Sequence, residues 1–545
     1  MITLLRIPNY FHFMNVRIFS LAMIFLFGAW LRLDQFAYQV VTDDEWHALI
    51  QLVKHSPQQF LLSFGVADYS IPLTFLYWNE ANWFGLSEMG MRWPMMLASL
   101  LTLILFPIWV SRHLGWRVAL VFALLLSVSP LLVSYSRNAR PYALTLFLGY
   151  LAHYAFSRYW NRHEGRTASG VIYGLSAALA SWLHLISLPF VVAPILHASF
   201  SAIGEWRKGN FVPIRRIAFL TVPTALLIAL LILPPLLNDP GALLNKSGSD
   251  LPNVDTLIGV WHTWLGATSV PAVLVCLGLA MLGGARLWKE APLARSATLG
   301  LLLTLIFLLL SRPAWIHNPL TLGRYLLPAI VLLLLAVATG AEALASRIER
   351  KWGSVPSIPF LLFPVILLIV SSPLWETMRR PNSYTLHSYF QVDYRYDHQV
   401  VRENMRTRIP LSSWWETLKN VPAESMLIAV APYNYFSPKW DAPRWEQLSR
   451  QRIIPGFLTG LCVGQRDGEL PDDRRFAMRN AVHLNDAMAL RRKKVDSIVF
   501  QKPYLDSLGG RAELIGSDTA HCLDVLRARF GKPIYEDDKI AVFDL

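Results

Sequence analysis

The chain has 545 residues, of which 54% are hydrophobic and 16% are charged, and its formal net charge is +13. Soluble proteins average about 25% charged residues, so this composition excludes a disordered chain, a collagen-like fibre and a small disulfide scaffold. The positive charge would suit a nucleic-acid partner, but its meaning depends on where the basic residues lie.

The charged residues divide the chain after Leu374. Residues 1–374 contain 25 basic and 15 acidic residues, about 11% of that segment, whereas residues 375–545 contain 25 and 22, about 27%. Long apolar runs such as Leu301–Leu310 occur in the first segment. The pattern predicts an α-helical polytopic membrane domain over 1–374 and a soluble α/β domain over 375–545.

Eleven apolar segments are predicted to cross the membrane, because about 20 apolar residues in a helix span a hydrocarbon core of about 30 Å. They lie near 17–36, 91–110, 118–134, 141–157, 169–184, 185–203, 217–236, 269–285, 296–311, 325–343 and 355–374. Seventeen of the 25 basic residues of this domain fall between spans on one side. The positive-inside bias makes that side cytoplasmic and, with an odd number of spans, places the tail outside. Most of the net charge therefore encodes topology, and no nucleic-acid partner is expected.

Three acidic residues, Asp43, Asp44 and Glu45, open the first predicted outer segment. A carboxylate at this boundary can act as a general base toward a hydroxyl or bind a metal ion. Alternatively, Asp43 or Asp44 caps a predicted helix over 45–54, where negative charge is favourable. The two interpretations are compatible.

Two arginines, Arg137 and Arg140, lie three residues apart at the predicted outer start of a span. In a helical turn they would share a face and could hold a phosphate through bidentate hydrogen bonds. The alternative is an interfacial pair that contacts lipid headgroups.

Two more residues stand out at predicted outer helix ends. Arg324 breaks the positive-inside pattern and needs a phosphate or carboxylate partner, unless it snorkels to the interface. His184 is a lone histidine in an apolar setting, where a structural role is commoner than a catalytic one. A segment over 237–268 ends in Trp261-His262-Thr263-Trp264, which predicts an amphipathic helix in the membrane interface.

The tail shows the pattern of an α/β domain. Residues 426–430 and 497–500 are predicted strands, residues 532–545 a hairpin, and residues 477–494 a helix. Cys462 and Cys522 both lie in the tail, where they form either a disulfide or two free thiols.

Several of these motifs, in this order, resemble the GT-C glycosyltransferases, specifically the protein O-mannosyltransferase and aminoarabinose transferase group (glycosyltransferase family 39-like). The matching segments are Asp44-Glu45, Asp68-Tyr69-Ser70-Ile71-Pro72-Leu73, Phe84-Gly85-Leu86-Ser87, Arg92-Trp93-Pro94, Ser136-Arg137-Asn138-Ala139-Arg140-Pro141-Tyr142-Ala143-Leu144, His184 and Arg324-Tyr325. Ser70 and Ile71 stand where the family has His and Pro. The resemblance covers roughly 15–375, and the tail is similar only in kind.

The resemblance implies a GT-C fold and transfer of a sugar from a polyprenyl phosphate to an acceptor hydroxyl on the outer face. Asp44 would be the general base, and Glu45 would orient it or bind the acceptor. The implied substrate-binding residues are Asp68, Arg137, Arg140, Tyr142, His184, Arg324 and Tyr325, with the arginines neutralising the departing phosphate. Asp44 and Asp68 are candidates to hold a divalent cation, Mg²⁺ or Mn²⁺.

The resemblance also implies a multi-pass protein of a bacterial inner membrane with its tail in the periplasm, acting on a lipid, a glycan or a protein. The departures at Ser70 and Ile71 favour a lipid-linked or envelope glycan over a protein. The alternative function is a lipid-linked sugar flippase or transporter, although transporters place ionisable residues at mid-span and here they lie at one face.

Overall fold

The computed structural model describes residues 9–34, 36, 43–67, 70–161, 165–267, 269–353, 357–372, 411–431, 445, 448–455, 457–459, 475–477, 481–483, 487–492, 494–502 and 519–545.

The described part of residues 1–374 is almost entirely helical. Its helices are α1 (Asn9–Leu33), α2 (Asp43–Lys54), α3 (Pro57–Leu61), α4 (Ile71–Trp83), α5 (Glu88–Leu114), α6 (Trp116–Val128), α7 (Pro130–Ser136), α8 (Tyr142–Asn161), α9 (Arg166–Leu183), α10 (Leu188–Trp206), α11 (Val212–Asn238), α12 (Gly241–Leu244), α13 (Val254–Leu265), α14 (Val270–Glu290), α15 (Pro292–Ser311), α16 (Pro319–Tyr325), α17 (Pro328–Trp352) and α18 (Ser357–Ser371). A 3-10 turn, Leu185–Ser187, joins α9 to α10.

Seven of these helices, within the described residues, are long and apolar enough to cross a membrane, or eight if α6 and α7 count as one bent span. Each of the eleven predicted spans coincides with a helix, but α18 has only 15 residues, and α8 and α9 fall below the same test. Helices α8 and α9 bury polar side chains between helices. Tyr173 of α9 donates to the carbonyl of Val191 at 2.8 Å, and His153 of α8 contacts the Ser296 hydroxyl at 3.0 Å. The α-helical, multi-pass class of the fold is thus confirmed.

The break between α6 and α7 is stabilised by Arg32 of α1. Pro130 has no amide hydrogen, so the carbonyl of Leu126 loses its normal helical donor, and the two helices bend by 62°. The buried guanidinium of Arg32 donates to the carbonyls of Leu126 at 3.0 Å and Ser127 at 3.1 Å. Arg32 is one of the basic residues that the sequence does not place on the cytoplasmic side, and it satisfies backbone carbonyl groups within the helical bundle.

A pair of glycines lets α14 and α17 approach closely. A Cβ atom on Gly283 would overlap the carbonyl oxygen of Ala336, and one on Gly340 would overlap the carbonyl oxygen of Leu279. Close backbone approach through small residues is a common mode of helix packing in membranes.

The contacts divide the chain into two units. Unit 1 comprises residues 1–34 and 94–374, and unit 2 comprises residues 35–93 and 375–545. This differs from the division predicted from composition, because residues 35–93 group with the tail. The main chain supplies a direct link within unit 2: the amide of Leu86 donates to the Arg475 carbonyl at 2.7 Å, and the Ala477 amide to the Leu86 carbonyl at 2.8 Å.

The described tail contains short helices and two small sheets. Its elements are β1 (Leu427–Ala431), β2 (Arg452–Pro455), β3 (Phe457–Thr459), β4 (Ala481–His483), β5 (Ser497–Gln501), β6 (Tyr535–Glu536), β7 (Ile540–Asp544), α19 (Trp414–Thr417), α20 (Ala487–Arg492) and α21 (Thr519–Phe530), with a 3-10 turn at Leu418–Asn420. Five strands form one sheet in the order β2-β1-β5-β7-β6, and β3 pairs with β4 in a second sheet. The core of the larger sheet includes Trp415 and Trp445, whose rings stack 5.2 Å apart.

The predicted tail strands and hairpin are confirmed, since β1, β5 and the antiparallel pair β6–β7 occupy those segments. The predicted helix over 477–494 is wrong, because residues 481–483 form a strand and, among the described residues of this segment, only 487–492 are helical. Parallel pairing of Ala481 with Phe457 overrides the local helical pattern. Cys462 and the side chain of Cys522 lie outside the described residues, so their pairing stays a prediction.

Candidate functional site

Arg137 and Arg140 lie in a buried turn between α7 and α8. Their exposed fractions are 3% and 5%, and the segment is not helical: the Arg140 amide donates to the Asn138 carbonyl at 2.8 Å. The turn forms because Pro141 follows, and the residue before a proline is steered away from helical geometry. The predicted shared helical face is therefore replaced by a tight turn. Such burial leaves little guanidinium surface for lipid headgroups.

Four predicted site residues, Tyr142, His184, Arg324 and Tyr325, come together in unit 1. The His184 ring lies 5.6 Å from that of Tyr142 and 5.5 Å from that of Tyr325. The Arg324 guanidinium lies 5.6 Å from the centroid of each tyrosine ring. A cation over aromatic faces is stabilised by the ring quadrupoles, so these residues form one aromatic–cationic cluster.

The cluster is strongly positive. Arg140, Arg324 and Lys246 all lie close enough to act electrostatically on the His184 ring. A narrow pocket of about 20 Å³ lies here. Its polar lining includes Tyr142, His184 and Arg324, and its apolar lining includes Phe190 and Leu301. Cationic and apolar side chains therefore lie next to each other at this pocket.

The short helix α16 fixes Arg324. Asn318 caps its start, with the side-chain oxygen accepting from the Leu320 amide at 2.9 Å, and Pro319 occupies the first helical position. At the other end, the indole of Trp264 donates to the Gly323 carbonyl at 3.1 Å. Trp264 is buried in α13, whereas Trp261 of the same helix is 38% exposed. The helix predicted within 237–268 thus exists, and one of its tryptophans supports the cluster.

A second group of predicted residues lies in unit 2. Glu45 of α2 and Arg92 of α5 are 1% and 0% exposed and form a bidentate ion pair. Arg92 Nε donates to Glu45 Oε1 at 2.7 Å, and Arg92 Nη2 donates to Glu45 Oε2 at 2.5 Å. A buried carboxylate engaged on both oxygens is suited to positioning its helix. α2 begins at Asp43, so Asp43 and Asp44 belong to its first turn and do not precede it as caps.

The side chain of Asp44 and the whole of Asp68 lie outside the described residues. Their predicted roles, and a cation bound by them, stay predictions. The described residues contain no group of three or more His, Cys, Asp or Glu side chains arranged to hold a metal ion.

Glu80 of α4 is a further carboxylate in unit 2. Burial raises the pKa of Glu80 to about 7, and among the described residues its Oε2 atom has no hydrogen-bond partner. A carboxyl group in this state titrates near neutral pH.

Sequence reasoning missed two residues as site components. Arg92 appeared in the sequence only within a matched motif, and Lys246 only as one of the eight basic residues of 1–374 outside the seventeen assigned to the cytoplasmic side. A cation on the outer side needs a partner, which is the signal that could have found them. Their partners are distant in the chain and become visible only in the fold.

Comparisons with known proteins place these observations in context. Residues 72–237 match the family described as dolichyl-phosphate-mannose-protein mannosyltransferase. No curated protein matches the chain. Among solved structures, ArnT from Cupriavidus metallidurans in the apo state is similar, at 14% identity, covering 98% of each chain with a TM-score of 0.44.

Two further structures show a likeness of the same kind. ArnT from Cupriavidus metallidurans bound to undecaprenyl phosphate has 14% identity and a TM-score of 0.42, covering 96% of this chain and 97% of that one. The Archaeoglobus fulgidus oligosaccharyltransferase tethered with an acceptor peptide has 12% identity and a TM-score of 0.35, covering 89% and 69%.

The family match includes Arg137, Arg140, Tyr142 and His184, which lie in or beside the buried cluster. It also includes Glu80 and Arg92 of unit 2. The predicted resemblance is thereby confirmed over residues 72–237, where the chain is similar to the dolichyl-phosphate-mannose-protein mannosyltransferase family, and the long apolar helices are those of a multi-pass membrane protein.

Proposed function

We propose that the protein transfers a sugar from a polyprenyl phosphate to an acceptor hydroxyl at the outer face of a bacterial inner membrane. The observation that carries the proposal is the packing of Arg324 against Tyr142 and Tyr325 beside His184, with Arg140 and Lys246 close enough to act electrostatically on the His184 ring. The phosphate of a lipid-linked sugar matches the positive charge of the cluster, and its apolar chain matches Phe190 and Leu301, which also line the pocket.

In the proposed reaction, the bond between the anomeric carbon and the phosphate oxygen breaks, and the oxygen leaves with the electron pair. The acceptor oxygen forms the new bond to the same carbon. Negative charge grows on the departing phosphate, so cations fixed in a buried site lower the barrier without needing to reorganise. Tyr142 and Tyr325 would hold the Arg324 guanidinium in place through ring contacts.

The acceptor must lose its proton as it attacks, and we propose Asp44 as the general base. Glu45 is assigned as a positioning residue, since both of its oxygens bind Arg92. That pair fixes the first turn of α2, which also contains Asp44. Asp68 would bind the acceptor or, with Asp44, a divalent cation.

The acceptor is proposed to be a lipid-linked or envelope glycan, and the partners are the polyprenyl-phosphate sugar, this acceptor and the bilayer. The departures from the family pattern at Ser70 and Ile71 favour this acceptor over a protein. No nucleotide-binding motif occurs in the sequence, so a lipid-activated donor is the simplest source of the sugar.

The test is a transfer assay with purified full-length protein in proteoliposomes containing a polyprenyl-phospho-sugar and a lipid acceptor. We expect polyprenyl phosphate to be released as sugar appears on the acceptor. Arg324→Met should lower kcat by about 10²–10³-fold, because it removes a cation from the leaving-group site.

The matched control is Arg312→Met, since Arg312 is an exposed arginine at the end of α15 and does not line the pocket. Equal losses in the two variants would contradict the assignment. Movement of the lipid across the bilayer without sugar transfer would favour the flippase alternative. A rise in KM alone in Arg324→Met would mean ground-state binding only.

A further inference from the structure

A second cavity, larger than the one at the aromatic–cationic cluster, lies in unit 1 at the end of the bundle where α5 and α8 terminate and α15 begins. Its volume is about 390 Å³. This is within the range of about 300–1,000 Å³ typical of ligand sites. The proposed glycosyl transfer makes no use of it.

The interior of this cavity is apolar and aromatic. Phe106 and Phe122 are buried in its wall, and Val331, Leu332 and Leu335 of α17 form another side. Such a surface binds hydrocarbon rather than a sugar or a nucleotide.

The mouth of the cavity is basic. Arg112 and His113 close α5, and Arg158, with Ser157 and Asn161, lies in the last turns of α8. None of the described residues that line the cavity is an aspartate or a glutamate. The charge of the mouth therefore calls for an anionic group.

The two arginines differ in how they are held. Arg112 donates to the Tyr154 hydroxyl at 3.3 Å, and the Tyr154 ring stacks on that of Trp109 with 4.3 Å between centroids. Arg158 is half-buried and makes no ion pair or hydrogen bond that the structure records with the described residues. The Arg112 guanidinium is thus held in place, whereas the Arg158 guanidinium is available to bind a ligand.

The inner end of the cavity is closed. The hydroxyl of Tyr150 donates to the Pro328 carbonyl at 2.7 Å, and its ring meets those of Phe106 and Phe190 at 5.3 and 5.4 Å. Phe190 and Pro328 line the pocket at the aromatic–cationic cluster, so Tyr150 separates the two spaces. The cavity is consequently a distinct site.

We propose that this cavity binds an anionic phospholipid of the surrounding bilayer, with an acyl chain among the aromatic residues and the phosphate at Arg112 and Arg158. Charge complementarity selects an anion, and the apolar interior selects an amphiphile. The arginines also belong to the basic face of the bundle, where anionic lipids concentrate if that face is cytoplasmic. The bound lipid would fill the space between α5, α8, α15 and α17.

The test is native mass spectrometry of the full chain, with phosphatidylglycerol or phosphatidylcholine of the same acyl chains added as probe. We expect phosphatidylglycerol to be retained and phosphatidylcholine to be lost. Arg112→Gln/Arg158→Gln should lower phosphatidylglycerol occupancy at least about tenfold, the loss expected for two charge-assisted contacts. Arg112→Lys/Arg158→Lys should retain most of it.

The matched control is Arg207→Gln/Arg215→Gln, which removes two exposed cations outside the cavity. Equal loss in the control, or equal retention of the two lipids, would overturn the proposal in favour of non-specific adhesion. Displacement of phosphatidylglycerol by polyprenyl phosphate at equal concentration would overturn it in favour of a second donor-lipid site. Lipid occupancy is read independently of sugar transfer, so the two proposals fail separately.

Discussion

The buried ion pair of Glu45 and Arg92 makes the sharpest prediction about stability. Both side chains are essentially inaccessible, and two hydrogen bonds of 2.7 and 2.5 Å join them. Replacing Arg92 by Met keeps most of the volume but leaves a carboxylate buried without its main partner. Breaking a buried pair in this way costs about 3–5 kcal/mol. At about 2–4 °C per kcal/mol for a unit of this size, the Tm of unit 2 should fall by about 6–20 °C.

The assay is thermal unfolding of the full chain in detergent, monitored by near-ultraviolet circular dichroism, for Glu45→Met, Arg92→Met and the double variant. The double variant should be more stable than the sum of the single losses predicts, since it removes both charges of the pair together. Lys419→Met is the control, because it breaks an exposed pair with Glu416, 3.9 Å apart, and should cost under about 1 kcal/mol.

Additive losses in the double variant, or an Arg92→Met effect no larger than that of Lys419→Met, would refute this reasoning. If the pair positions α2, Arg92→Met should also lower kcat in the transfer assay at a temperature where the variant is folded, with little change in KM.

Three further predictions concern stability. Gly283→Ala should lower the free energy of unfolding by about 1–3 kcal/mol or more, because the new Cβ overlaps the Ala336 carbonyl. Gly284→Ala, with open space around the new Cβ, should leave the Tm unchanged in the same experiment. Equal melting points of the two variants would contradict the close helix crossing. For Glu80, the raised pKa means that the folded state keeps a proton the unfolded chain loses, so stability falls as pH rises from about 4.5 to about 7. Glu80→Gln should match the wild-type Tm at pH 5 and exceed it at pH 8, and a constant difference across this range would contradict the assignment. Burial alone would raise the pKa of Asp537, but hydrogen bonds from the Ser412 hydroxyl, two backbone amides and the Tyr535 hydroxyl hold it below its ordinary value. This stabilisation is present above the ordinary pKa and is lost as pH falls through the lowered pKa. Asp537→Asn should therefore have a lower Tm than the wild type at pH 7 and lose less stability in acid, and an unchanged acid profile would refute the assignment.

The sequence was sufficient for most of the membrane helices, because span length and charge asymmetry are local properties. It also selected Tyr142, His184, Arg324 and Tyr325, which the fold brings together. Arg324 was recognisable because it departs from the positive-inside pattern, and His184 because it is a lone histidine in an apolar setting, whereas Tyr142 and Tyr325 were implied only by the family resemblance.

Other features depend on contacts between distant segments and were beyond sequence reasoning. The pairing of Glu45 with Arg92 and the electrostatic effect of Lys246 on His184 follow from packing between elements. The helix predicted over 477–494 failed for the same reason, since pairing of β4 with β3 outweighs local preference. The turn at Arg137 and Arg140 is non-helical because of Pro141, a local signal that the spacing argument left aside.

The most direct test of the central claim is the rate of sugar transfer by Asp44→Asn, with Asp43→Asn as the matched control in the same helical turn. Both variants remove one carboxylate from the start of α2, but only Asp44 is assigned as the general base. We predict that Asp44→Asn lowers kcat by at least about 10²-fold while Asp43→Asn stays near the wild-type rate. Transfer by Asp44→Asn at the wild-type rate would contradict the proposed mechanism.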